Sequence, residues 1–340
     1  KIGLLIAVIL TGGLVWLLSG YRRWLAHHTQ RVATDHKTIQ TEHGPITYDR
    51  RGAGPVVLHF HGGNVGRNGW FMLGHLIDAG FQVLTPDRPG YLGTPLTGNG
   101  SPEQQADLMA ALLDALEIEQ VAVIGVSAGG PGALQFALRY PDRVQCLVLL
   151  SAITKRTELT DDQLNSTLGK LVMTRRFQNP AYFLIHQAMR RMTAPALQDF
   201  IRTETTYSPE EGQRVIDQVT KDPAQLRQVH ALADAMVPAL PRFDGVMNDL
   251  DVQQALTPLP LETIKAPTLI VHSAHDGDVP YDNATTATAA IPNAELITVK
   301  QFGHFIWWGD PAVTADFQGR VEAFVRDHAT ASSPHNATHR

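Results

Sequence analysis

The sequence predicts an α/β fold with a mostly parallel central sheet and helices on both faces. Three observations predict it. Short apolar runs rich in β-formers recur along the chain: PVVLHF, FQVLTP, QVAVIG, VQCLVLL and PTLIVHSA. Stretches with apolar residues every three or four positions lie between several of them. The runs are apolar throughout rather than alternating, which is the pattern of strands buried on both faces. With 44% hydrophobic and 18% charged residues, the 340-residue chain is globular and long enough for one large domain or two ordinary ones. A net charge of -5, with no clustered basic surface, argues against a nucleic-acid partner.

The first element departs from this pattern. Ile2 to Gly20 contains no charged residue, Lys1 precedes it, and Tyr21-Arg22-Arg23-Trp24 follows. The stretch approaches the roughly 20 apolar residues of a membrane-spanning helix, and its flank is the aromatic and basic kind found at headgroups. A secretory signal has a shorter apolar region that ends at small residues. The expectation is therefore an uncleaved N-terminal transmembrane helix over residues 1–24, followed by a linker over 25–37. Arg22, Arg23, Arg31 and Lys37 outnumber Lys1 and lean the remainder of the chain toward the cytoplasmic side. Asn-x-Ser/Thr triplets at Asn165, Asn283 and Asn336 do not decide the side.

TIQTEH and ITYDRR read as strands meeting at a Gly-Pro break, and PVVLHF (55–60) and FQVLTP (81–86) as two more. In 102–118, Ala106, Leu108, Met109, Leu112, Leu113 and Leu116 define a helical stripe, and Ser101-Pro102 supplies its start. QVAVIG (120–125) is a strand, SAGGPGALQFALRY a helix and VQCLVLL (144–150) a strand. Cys146, the only cysteine, sits in that last strand, where it has no disulfide partner and burial makes it unreactive. Residues 153–260 show helical patterns only. The strand pattern then resumes at PTLIVHSA (267–274) and AELITV (294–299), before a final helix near PAVTADFQGRVEAFVRDH. This divides the chain into a core (38–152 and 261–330), an inserted helical cap (153–260) and a disordered tail (331–340).

The chemistry centres on VAVIGVSAGG (121–130). Gly125, Gly129 and Gly130 relieve crowding on both sides of Ser127, as an abrupt strand-to-helix turn requires. That turn exposes the hydroxyl at the carboxyl edge of the sheet and aims the Ala128 N–H at a developing oxyanion. HGGN (61–64) ends another strand, where Gly63 or Asn64 can supply a second N–H. HSAHDGDVP places Asp276 just past a third strand, and QFGHF places His304 just past a fourth. The chain order Ser127, Asp276, His304 is that of strand-turn-helix hydrolases. Asp278 is a rival for the acid, while His272 and His275 orient or pack.

Taken together, VIGVSAGGPGALQFALRYPDRV, HGGN and the acid and histidine loops resemble the α/β-hydrolase superfamily over about residues 38–330, in its serine esterase and lipase-like branch. DRPGYLGTP (87–95) is similar to the loop after the following strand but departs from the common Gly-Tyr-Gly-x-Ser version, which leaves it a shaping role. The resemblance favours Asp276 over Asp278, because Val279-Pro280 follows it at the family's spacing. It implies an α/β-hydrolase fold with a cap, and Ser127, His304 and Asp276 acting as nucleophile, base and orienting acid, with Gly63, Asn64 and Ala128 at the oxyanion.

A serine at position 127 argues against the dehalogenase and epoxide-hydrolase branches, which need a carboxylate there. Hydrolysis of carboxylic esters, hydrophobic or lipid-derived, is the default reading, through an acyl-enzyme on Ser127. Cleavage of carbon–carbon, amide or thioester bonds, peracid-type chemistry, and a ligand-binding protein with little turnover stay open. No cofactor is required. No metal is expected either, because His59, His61, His272 and His275 lack metal-ligand spacing. The expected partners are a small-molecule ester and, through the N-terminal helix, a membrane. Met173, Phe177, Phe183, Ile185 and Met189 are candidates for an apolar pocket wall in the cap.

Overall fold

A computed structural model of the chain describes residues 2–34, 36–158, 167–300 and 302–329. Strands β1 (Lys37–Thr41), β2 (Gly44–Gly52), β3 (Val56–Phe60), β4 (Gln82–Pro86), β5 (Val121–Val126), β6 (Val144–Leu150), β7 (Thr268–Ser273) and β8 (Ala294–Val299) form one sheet. Its order is β1-β2-β4-β3-β5-β6-β7-β8. The β1–β2 and β2–β4 pairs are antiparallel and the others parallel. Every residue of β3, β5 and β7 is buried, which is why these strands read as unbroken apolar runs.

Alternate strand residues feed two separate layers, as the twofold pleat dictates. Val57, Val83, Ala122, Ile124, Val148 and Val271 face one cluster, and Leu58, Leu84, Val123, Leu147, Leu149 and Ile270 face the other. The second cluster is closed by α3 (Pro102–Ala115), α4 (Gly130–Arg139) and α11 (Asp282–Ala290), and the first by α2 (Gly74–Asp78) and α12 (Pro311–His328). Helix α3 starts in the anticipated way, with Ser101 and Gln104 closing a reciprocal capping box and Pro102 in the first turn. Cys146 is fully buried, and desolvation pushes its thiol up to about 12.

Between β6 and β7 the described chain is helical: α5 (Thr167–Val172), α6 (Gln178–Arg191), α7 (Thr193–Glu204), α8 (Pro209–Lys221), α9 (Pro223–Ala235) and α10 (Phe243–Ala255). Residues 159–166 of this interval lie outside the described residues, as do Asn165 and the tail expected over 331–340 with Asn336. Asn283 is buried and hydrogen-bonded to the Thr154 N–H, so its triplet serves packing.

The N-terminal expectation needs correction. Among the described residues no helix is long and apolar enough to cross a membrane, so the anchor over 1–24 and the membrane partner and location read from it are unsupported. Helix α1 (Ile2–Ala33) also runs through Arg22, Arg23 and the expected linker without a break at position 24. Its far end is committed to protein. Trp24 is buried and donates to His186 Nδ1 at 3.1 Å, Tyr21 and Trp24 pack on Phe183, and Arg31 donates to the Asp234 carbonyl.

Candidate active site

The turn after β5 is as crowded as its glycines suggest. A Cβ on Gly129 would lie 2.1 Å from the Phe60 carbonyl oxygen, one on Gly130 2.3 Å from that of Ile153, and one on Gly125 2.8 Å from Ala133 Cβ. Ser127 sits between them at a φ of 49°, a left-handed conformation that a non-glycine residue adopts only when its surroundings enforce it. The cost is of order 1–3 kcal/mol, and the result is a hydroxyl held out over the sheet edge.

That hydroxyl meets the two other residues of the predicted set. Ser127 Oγ is 2.9 Å from His304 Nε2, and His304 Nδ1 is 3.0 Å and 3.2 Å from the two oxygens of Asp276. Asp276 is locked in turn. Its Oδ1 accepts the N–H groups of Asp278 and Val279 at 3.0 Å and 2.8 Å, and His272 Nε2 lies 3.2 Å from its Oδ2. Burial alone would raise the Asp276 carboxyl. The cationic form of His304 and the hydrogen bonds from His272 and His304 outweigh it and hold the group at about 2. Burial likewise works against the His304 cation, but Asp276 and then Asp278 overcome it and raise the imidazole to about 10. His272 thus orients the acid, whereas His275 lies out against Tyr207.

Asp278 does not compete for Nδ1. It approaches the opposite nitrogen, with its Oδ2 3.5 Å from His304 Nε2. Beside it stands a residue with no sequence motif to reveal it, Glu204, the last residue of α7. The Glu204 carbonyl accepts the N–H of Gly277 at 3.1 Å and that of His304 at 2.9 Å, and Thr205 bridges to Asp276. One cap segment therefore clamps both the acid loop and the histidine loop. Burial and then the Asp278 charge push the Glu204 carboxyl up to about 8.

The HGGN loop is fixed from beneath by His61, which is fully buried. Its Nε2 accepts the Arg88 N–H at 3.0 Å, so the proton resides on Nδ1, which donates to the Gly62 carbonyl at 2.8 Å. Burial and the nearby Arg88 hold this imidazole well below its ordinary range, so it is neutral. Gly63 and Asn64 line the same cavity as Ser127, Ala128 and His304. Asn64 is occupied elsewhere: its side-chain oxygen accepts from Tyr182 at 2.7 Å, and its main chain hydrogen-bonds the Tyr91 hydroxyl.

The cavity encloses about 740 Å³. Met173, Ile185 and Met189 line it as anticipated, but Phe177 is exposed and Phe183 packs against α1. The DRPGYLGTP loop does shape one wall. Arg88 grips Asp249 with two bonds of 2.6 Å, Tyr91 donates to the same carboxylate at 2.5 Å, and Asp87 pairs with Arg67.

Among the described residues one set of metal-type donors converges, His28, His186 and Asp234, within 4.8 Å of one another. Trp24 donates to His186 Nδ1, which puts the His186 proton on Nε2, facing Asp234 at 2.8 Å. Arg190 and Arg31 flank the same carboxylate at 3.2 Å and 3.9 Å. That tautomer and those cations oppose a divalent ion, and the set serves instead to dock α1.

Known proteins share this architecture. Residues 55–311 match the family model described as the alpha/beta hydrolase fold. An uncharacterized hydrolase, YcgS, of Bacillus subtilis (strain 168) is 31% identical over 81% of this chain and 94% of its own. A 2-hydroxy-6-oxo-6-phenylhexa-2,4-dienoate hydrolase of Comamonas testosteroni is 27% identical over 77% of this chain and 86% of its own. An alpha/beta hydrolase fold protein from Nakamurella multipartita superposes with a TM-score of 0.74 at 31% identity, covering 86% of this chain and 99% of that one.

Proposed function

The chain belongs to the alpha/beta hydrolase family, and from that premise we propose that it hydrolyses carboxylic esters through an acyl-enzyme on Ser127. The observation that carries the reading is the continuous path from Ser127 Oγ through His304 to Asp276, each link 2.9–3.0 Å long. Ser127 attacks the acyl carbonyl while His304 Nε2 takes its proton. Asp276 holds the imidazole by Nδ1 and stabilises its cation. The N–H of Ala128 and that of Gly63 receive the oxyanion. Asn64 is set aside because its main chain already serves Tyr91. His304 then protonates the departing alcohol, and water, deprotonated by the same imidazole, releases the acid.

Carbon–carbon bond hydrolysis is the second reading, favoured by the similarity to the dienoate hydrolase. Such a substrate carries a carboxylate, as that name states. Here the Asp278 carboxyl lies 3.5 Å from His304 Nε2, and the arginine in the described cavity wall, Arg202, lies 3.5 Å from Asp199 at the surface. A dienoate therefore meets charge of its own sign, whereas a neutral ester does not.

The test is a screen of p-nitrophenyl and alkyl esters with varied acyl chains, run beside Ser127→Ala and a fluorophosphonate label. Turnover that disappears in Ser127→Ala, with Ser127 labelled in the parent, supports the reading. Equal turnover in the variant overturns it, and labelling without turnover points to a ligand-binding protein.

A further inference from the structure

The HGGN loop is held on two sides. On one, His61 Nδ1 donates to the Gly62 carbonyl. On the other, Asn64 stands at a φ of 61°, a left-handed conformation that a non-glycine residue keeps only under outside constraint. Two tyrosines supply that constraint. Tyr91 hydrogen-bonds the Asn64 main chain, and Tyr182 of α6 donates to its side-chain oxygen at 2.7 Å. Gly63, between these anchors, has no side chain of its own to fix it, so the direction of its N–H depends on both neighbours.

Tyr182 is fixed in turn by α1. It is buried in one cluster with Trp24, Val237 and Ala239, against which Tyr21 and Leu25 pack. Trp24 donates to His186, one turn further along α6, and His28 meets the same imidazole edge-on at 4.9 Å. Arg31 donates to the carbonyls of Asp234 and Val237. From the other direction Arg67, just past the HGGN loop, donates to the Val32 carbonyl and pairs with Asp87 at 2.5 Å. The end of α1 is thus joined both to the helix that carries Tyr182 and to the continuation of the loop that Tyr182 grips. It lies outside residues 55–311, which carry the family fold.

We propose that the docked end of α1 positions the oxyanion donors: it holds Tyr182 against Asn64, and Asn64 holds the Gly63 N–H on the developing charge. Trp24 and Tyr182 are positioning residues for the reaction. The proposal rests on the acyl-enzyme reading for its turnover, but the oxyanion donors can be probed without turnover. The probe is an alkyl trifluoromethyl ketone. Ser127 Oγ adds to its carbonyl carbon, the carbonyl electron pair moves onto oxygen as the oxyanion, and the serine proton passes to His304 Nε2.

Tyr182→Phe keeps the ring and removes the hydroxyl. Ester kcat is expected to fall about tenfold with KM nearly unchanged, short of the roughly 10²–10³-fold cost of deleting an oxyanion donor outright. The ketone, followed by fluorine NMR on the full-length protein, should bind more weakly by a similar factor. Trp24→Ala should lower kcat in the same way. In the Tyr182→Phe background it should cost less than about twofold more, because both substitutions act on one contact. If Trp24→Ala does not fold, Trp24→Phe, which loses the N–H and part of the ring, gives the same cycle. An unchanged kcat in Tyr182→Phe overturns the proposal. So does a loss confined to KM, which would make Tyr182 a substrate contact in the cavity it lines. Full additivity of the two substitutions overturns the route from α1 through Tyr182. Ketone binding that weakens in Tyr182→Phe, in a protein that hydrolyses no ester, supports the positioning role and overturns the ester reading instead.

Discussion

The turn after β5 and the end of α7 both meet His304, one by a side chain and one by a carbonyl, and they are placed by opposite means. Ser127 is placed by its own neighbours: three glycines, a φ of 49° and a strand buried along its whole length. Glu204 is placed by partners distant in sequence, through a carbonyl that accepts the N–H groups of Gly277 and His304. Local strain makes the first position rigid whatever the cap does. The second exists only while the cap and the two loops hold each other. The nucleophile is thus set by the locally determined element, and the loops that carry the acid and the base are tied to the assembled one.

The comparison breaks most sharply at Ser127. Ser127→Ala should lower ester kcat by about 10⁴-fold or more while the thermal midpoint stays nearly unchanged, measured by initial rates and calorimetry. Gly129→Ala should damage the fold as well. Its Cβ would lie 2.1 Å from a backbone oxygen that cannot swing away, so urea denaturation should show a loss of about 2 kcal/mol or more. On the assembled side, Gly303→Ala places a Cβ 2.2 Å from the Glu204 carbonyl oxygen at a φ of +42°. Ester kcat should fall about tenfold to a hundredfold as His304 loses its register, with a smaller stability loss than Gly129→Ala.

Asp278→Asn should have the smallest effect and sharpen the contrast by moving charge alone. His304 must be neutral to accept the serine proton, and the carboxylates raise it to about 10, so kcat/KM should climb with pH above neutrality. Removing one negative charge lowers the imidazole, so the acid limb of the profile should shift to lower pH. An unshifted limb would mean that Asp278 does not act on Nε2.

The same contrast explains what was legible in the sequence. Strand–turn–helix punctuation and the glycines around Ser127 are local signals, and Asp276 and His304 each follow a readable strand. Glu204 has no such signature, because it closes an ordinary helix and its importance lies in contacts with positions 277 and 304. Asp278 was visible only as a rival acid; which nitrogen it faces depends on the turn whose N–H groups Asp276 accepts. The N-terminal helix misled for a related reason. Composition does not distinguish an apolar helix in lipid from one whose end is gripped by protein, as α1 is through Trp24, His186 and Asp234.

Because one carbonyl, that of Glu204, is shared by Gly277 and His304, the roof of the cavity is pinned at the spot nearest the reacting atoms. Lifting it there would disarm the imidazole at the moment a substrate arrived. Any rearrangement of the cap that leaves this carbonyl in place keeps both loops, and with them the acid and the base, in register.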